Sequence, residues 1–575
     1  MTYQQKWNLS NLFYKSGNSY TEIETQLNHL SEKIKLLNLA LPQVFVSYQE
    51  LLKDLHESGS LIVCLTSQDV TDEKALELEA KHTAISSEFE ALSLKIDELL
   101  VAMSESEFQT MLQSLDDISF AIIEKRKLAL DKLPLEKELL INELSISGHQ
   151  ALTTLYYSFI GQLEFPVADE KLNLSKLENL FHSTDRNLRE SAVKSMNEVL
   201  GKNQSIFGQI LNNIVDYRLR VYKARNWDNV LHESLFDNRM TESTLNTMWD
   251  AISMNKEPLK HYMDRKAKHL GTKQLKWSDL QAPLGTADET NVPWEKGCND
   301  IIEQFEKISP KMAEFSKKAL REGWVDATAS PTKRAGGFCT GAPLLEESRI
   351  LMTYMDNFGS LSTLAHELGH AFHSHVLNDK PPLAQDYPMN IAESASTMCE
   401  MIVTDNALKN ATSEKEKLIL LDDKISRYMS FNMDLHSRFL FDKAFHEERK
   451  QGFVSPDRAN ELMIESQKIG FANNLQEYLP SFWSYKMHFY FTDVTFYNWT
   501  YTFGYLFSLG TYAHLQKIGD FERRYIALLQ DSGSMMIEDL AKKHLDVDLT
   551  KIDFWQNAID LLNADIETYL NIELI

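Results

Sequence analysis

Four histidines and one glutamate crowd into the stretch STLAHELGHAFHSH, Ser362 to His375, of a chain that holds 17 histidines in all. His366 and His370 stand four residues apart, so on a helix they project from one face within reach of a single metal ion. Glu367 lies beside them, placed to take a proton from a metal-bound water. Leu361, Leu364, Ala365, Leu368 and Phe372 give that helix an apolar face, and NDKPP after it is a stop signal. The pattern is HExxH, and the chemistry it points to is zinc-assisted hydrolysis, with one zinc per chain.

A catalytic zinc takes a third protein ligand and keeps one open position. The residue ten places after His366, where a third histidine would suit a metzincin, is Val376. His373 shares the face but lies seven residues, ~10 Å, along the axis from His366, which suits lining or support better than ligation. His375 points elsewhere on the wheel. Glu393, in the first turn of a helix expected after the proline-rich loop KPPLAQDYP, could reach the metal from the opposite side. It could equally complete a capping box with Asn390, and spacing alone leaves the two open. Glu400, seven residues on, could orient a ligating histidine through its imidazole N–H.

The elements around these residues read as helices. Ile23, Leu27, Leu30, Ile34 and Leu37 form a stripe ending before Pro42, and a longer one runs through Ile85, Phe89, Leu92, Ile96, Leu99 and Met103 after a helix start at Thr71, Asp72 and Glu73. These stripes predict a packed hairpin or bundle rather than a partner-binding coiled coil. Strand signals concentrate in GGFCTGAP and SRILMTYM, which predict a hairpin just before the histidine cluster. The expected fold is mostly α with a small β-sheet near the site. No linker-like segment marks a domain boundary, and the division expected is 1–190 and 191–575.

With 59 basic against 83 acidic residues, a net charge of −24, the chain repels nucleic acid. No run approaches the ~18 apolar residues of a membrane span and the N-terminus has no signal-peptide pattern, so the expected setting is cytoplasmic, with no membrane partner. Cys64, Cys298, Cys339 and Cys399 are scattered, as reduced buried thiols would be. Oligomeric state is not legible. Downstream, YKMHFYFTDVTFYNWTYTFGYLF carries His488, Tyr497, Tyr501 and Tyr505 in an aromatic run that by itself reads as core. Gly336 and Gly337, before Phe338, permit close approach of another backbone or simply make a turn.

HELGHAFHSH, NIAESASTMCE and VDATASPTKRAGGFCTGAP, together with LFHSTDRNLRESAV and the opening WNLSNLF, resemble the thimet-type family of zinc metallopeptidases and, within it, the oligoendopeptidase F group. The resemblance implies a two-lobed helical zincin with a deep central channel that admits short peptides. It implies Glu393 as third zinc ligand and His488 and Tyr501, with Tyr497 next and Tyr505 after it, as donors to substrate and oxyanion. It also implies Gly336, Gly337 and Phe338 as a substrate-binding strand region. Where relatives carry proline near the second-helix glutamate, this chain has SAS. The function expected is a zinc endopeptidase of short unfolded peptides, with Glu367 as general base. The alternatives are a zinc exopeptidase (carboxypeptidase or dipeptidase) on the same scaffold, or a non-catalytic zinc- or peptide-binding protein.

Overall fold

The computed structural model describes residues 3–12, 19–285 and 291–573. Helices dominate it, and the strands are few and short. The chain divides into two compact units that interleave in sequence: Met1–Leu135 with Thr290–Asn406 and His514–Asp546, and Glu136–Glu289 with Ala407–Ala513 and Val547–Ile575. The expected division at residue 190 is not a break between them, because residue 190 lies inside the 40-residue helix Arg186–Arg225. A chain that crosses between units several times leaves no single linker for composition to reveal.

In the first unit the helices Tyr20–Lys35, Val44–Gln68 and Glu73–Ala102 share one apolar core, as a bundle does. Ser19 and Glu22 form a capping box at the first helix, and Asp72 caps the third by accepting from the Lys74 and Ala75 N–H groups at 3.1 Å. Ile85, Phe89, Leu92 and Ile96 are buried as the stripe predicts, but Leu100 rather than Leu99 is the buried residue that follows. Over several turns a 3.6-residue helix drifts away from a strict alternation of four and three, and the next inward position slips by one. Met103 lies past the helix end.

The predicted hairpin forms. Phe338–Ala342 pairs antiparallel with Glu347–Leu351, which is central in a three-stranded sheet and pairs parallel with Val325–Asp326 on its other side. Lys333, buried in the loop before the hairpin, donates to the Asp326 carboxylate at 2.6 Å and to the Thr328 and Met352 carbonyls at 2.8 and 2.7 Å, fixing that loop to the sheet. The chain opening runs alongside the same sheet. The Asn8 N–H donates to the Gly323 carbonyl at 2.6 Å and the Ala327 N–H to the Gln5 carbonyl at 2.9 Å. Buried Arg349 reaches the Asn8 carbonyl at 2.9 Å and Asn11 Oδ1 at 2.8 Å. WNLSNLF therefore has a structural task, although its last residue, Phe13, lies outside the described residues. Cys64, Cys298 and Cys399 are buried free thiols, and Cys339, on the edge strand, is half-buried.

The second unit is built around Arg186–Arg225, capped by Asp185 and held by Arg186 and Arg189, both 2.9 Å from the buried Asp279 carboxylate. Among the described residues no helix is long and apolar enough to cross a membrane.

Candidate active site

The helix Phe358–Leu377 starts at Asn357, whose side chain accepts the Ser360 N–H at 2.9 Å, and it buries Leu361, Leu364, Ala365, Leu368 and Phe372. His366 and His370 turn away from that core and are half-buried. A second helix, Met389–Asn410, crosses at Gly369. A methyl group there would stand 2.6 Å from the Ala395 carbonyl oxygen and 2.7 Å from the Ser396 Cα, so only glycine lets the two backbones come this close.

That approach delivers Glu393 to the histidines. His366 Nε2 and His370 Nε2 are 3.1 Å apart, and Glu393 Oε2 lies 3.4 Å from the first and 3.6 Å from the second. A tetrahedral zinc with ligand bonds of ~2.0–2.1 Å has ligand-to-ligand edges of ~3.3 Å, so this triangle has the dimensions of one face of a zinc site. It is the one cluster of metal-ligating type among the described residues. Asn390 lies within the helix rather than at its N-cap, so the capping-box geometry is not the one adopted.

Glu400 accepts a short hydrogen bond from His366 Nδ1, which turns Nε2 toward the triangle. Ser396 donates to Glu393 Oε2 at 2.9 Å. Sequence reasoning missed Ser396. Its signal was its position, three residues after Glu393 and hence on the same face, within the SAS departure. Burial lowers the affinity of His366 for a proton, but the Glu400 hydrogen bond and charge, with Glu393 and Glu367, carry it up to about 9. Burial and the neighbouring His366 push His370 down. Burial raises Glu367 to about 7 against the opposing His366, with Glu393 and Glu400 adding to the rise. Three carboxylates around two imidazoles make a pocket whose charge a divalent cation would balance.

His373 stands apart from the triangle. It is fully buried, 2.9 Å from Ser532 Oγ and stacked on Tyr387 at 4.0 Å, and burial pushes it down to about 3, so it is a neutral packing residue. His375 is exposed and stacks on Phe315 at 4.7 Å. In the hairpin, Gly336 has φ +94°, while Phe338 is half-buried beside Trp7, ring centroids 6.5 Å apart.

In the second unit, His488 lies in the 3₁₀ turn Met487–Phe489 and stacks with Tyr497 at 5.6 Å; Tyr501 presents its edge at 6.3 Å and donates to the Tyr497 hydroxyl at 2.9 Å. These three are half-buried, whereas Phe489, Tyr490, Phe496, Trp499 and Phe503 of the same run are at most 3% exposed. Phe491 of the same run is half-buried as they are. Burial, then Lys486 and Arg438, push His488 down to about 3, so it is a neutral imidazole. Tyr505 is elsewhere: it is buried and stacked on Phe431 at 4.5 Å.

The sequence model described as peptidase family M3 matches residues 179–561. An oligoendopeptidase F homolog of Borreliella burgdorferi is 24% identical over 595 residues, spanning 98% of this chain and 97% of that protein. Group B oligopeptidase PepB of Streptococcus agalactiae is 24% identical over 445 residues, 75% of this chain and 73% of its own length. The fold matches that of oligoendopeptidase-F from Enterococcus faecium with a TM-score of 0.69 at 19% identity, covering 96% of this chain and 97% of that one.

Proposed function

Because the chain belongs to peptidase family M3, and so to the metallo-oligopeptidases, we propose that it is a zinc-dependent endopeptidase that cuts short, unfolded peptides within the chain. The observation that carries this reading is the triangle of His366 Nε2, His370 Nε2 and Glu393 Oε2, with edges of 3.1, 3.4 and 3.6 Å, beside the acid Glu367, whose buried Oε2 has no hydrogen-bond partner among the described residues. Bound zinc would supply Lewis acidity, polarising the scissile carbonyl and making water a better acid.

The protein's own groups carry the proton. Glu367 takes it from the attacking water and passes it to the leaving amine, so water and the peptide bond give one carboxylate and one amine with no covalent acyl-enzyme. Glu400 keeps His366 in the tautomer whose Nε2 lone pair faces the metal, and Ser396 holds the Glu393 carboxylate. His488 and Tyr501, with Tyr497, donate to the developing oxyanion. Gly336, Gly337 and Phe338 lead into the edge strand of the sheet, beside which a peptide backbone could lie as a further strand. The exclusion of folded proteins, a central channel and a cytoplasmic setting belong to the same reading.

A random peptide library, analysed by mass spectrometry before and after incubation, should show internal cleavage that a chelator abolishes. Peptides capped at both ends should be cut as well; cleavage restricted to free termini would favour the exopeptidase, and none at all the binding protein.

Tyr501→Phe separates an oxyanion donor from a core residue by removing one oxygen. A donor is used more in the transition state than in the bound substrate, so kcat should fall about 10²-fold with little change in KM. Since the two tyrosine hydroxyls are bonded to one another, Tyr497→Phe in the same chain should add far less than it does alone. Steady-state kinetics of the two single variants and the double variant read both effects; normal kcat in all three would return this segment to the core.

A further inference from the structure

Glu367 is only 5% exposed and its buried Oε2 has no hydrogen-bond partner, so no polar contact at that oxygen fixes the carboxylate. A wall does. A Cβ on Gly337 would stand 3.1 Å from Glu367 Oε1, 3.3 Å from the Leu351 carbonyl oxygen and 3.5 Å from Thr363 Cγ2. The neighbouring Gly336 differs in kind. It has φ +94° and nothing within 4 Å of its would-be Cβ, so it is glycine for the sake of the turn. Gly337 is not in the left-handed region, and what excludes a side chain there is the glutamate.

We propose that Gly337 is a positioning residue for Glu367: the bare hairpin backbone is the surface against which the carboxylate rests. This builds on the reading of Glu367 as general base and adds to the hairpin a task separate from binding peptide, which would use the backbone of the edge strand Phe338–Ala342, whose N–H and C=O groups a methyl at 337 leaves untouched. A methyl at 3.1 Å is a few tenths of an ångström too close, so one neighbour must yield. The Leu351 carbonyl cannot, because residue 351 is paired with Phe338 in the sheet. The carboxylate therefore moves; since a misplacement of ~1 Å costs a catalytic group about 10²-fold, a few tenths costs a measurable fraction of that.

Gly337→Ala is accordingly expected to lower kcat by several-fold to about 10-fold with KM and metal content unchanged. Calorimetric titration of a capped peptide into Glu367→Gln, with and without Gly337→Ala, should give the same Kd. A second readout requires no turnover. In metal-free protein, the melting temperatures of Gly337→Ala, Glu367→Ala and the double variant form a cycle in which the generic effect of adding a methyl cancels. The double variant should melt above the sum of the single shifts, because the new methyl fills the space the carboxylate leaves. Raised KM with normal kcat, weakened peptide binding, or additive melting shifts would each overturn the proposal. Failure of the base reading would show differently, as full activity in Glu367→Gln, and it would withdraw the catalytic part while the melting cycle still reported the contact.

Discussion

Glu367→Gln should keep its metal and lose its turnover. The amide has the shape of the carboxylate, and Glu367 is not one of the three residues whose donor atoms form the triangle, so elemental analysis should still find about one zinc per chain. What the amide cannot do is accept a proton from water and return it to an amine, and loss of a positioned general base costs roughly 10²-fold or more in kcat. Burial, opposed by His366 and aided by Glu393 and Glu400, brings the Glu367 acid to about 7, near the pH at which a base must be both ionised and basic, and a cation in the adjoining triangle favours the ionised form. KM should stay near that of the parent chain, since the change removes an interaction used in the transition state. Loss of zinc from this variant would give Glu367 a different role, that of holding the metal residues in place.

The residues that make this chemistry readable in a sequence are the ones whose relation is local. His366 and His370 lie on one helix, so four residues of spacing already determine that they face the same way, and the apolar positions Leu361, Leu364 and Leu368 determine which way that is. Glu393 is another matter. Its distance from the histidines depends on how closely two helices cross, and that depends on the missing side chain of Gly369 against the Ala395 and Ser396 backbone. From spacing, Glu393 was as good a cap as a ligand. The hairpin was legible because its alternation and turn residues lie within twenty residues of one another, whereas Gln5 and Asn8 bond to Ala327 and Gly323, either side of the sheet's strand Val325–Asp326, across more than 300 residues, with no pattern that announces it. His488, Tyr497 and Tyr501 were indistinguishable by composition from the aromatic core around them; all three are half-buried, as Phe491 is, and Tyr505, one helical turn beyond Tyr501, is buried.

Glu393→Ala is expected to empty the metal site. Two imidazoles 3.1 Å apart remain, and a pair of histidines does not retain zinc as three ligands do. Elemental analysis should fall from about one equivalent to near none, activity should fall with it, and added zinc should no longer raise the melting temperature as ligand linkage requires of a chain that binds it. The competing account predicts the reverse. A carboxylate that only satisfied a helix end would cost about 1 kcal/mol on removal and leave the zinc where it was. Among the described residues no other His, Cys, Asp or Glu completes the cluster. Glu400 is engaged with the opposite nitrogen of His366, and His373 is buried against Ser532 and Tyr387, so neither reaches the triangle without repacking the helix that carries the histidines. Ser396→Ala gives the graded version of the same test: the ligand stays but loses the hydroxyl that holds it, and zinc affinity measured by chelator competition should weaken by about 10- to 100-fold. Full zinc content and unchanged affinity in Glu393→Ala would mean that the triangle is a coincidence of packing and that the third ligand lies elsewhere.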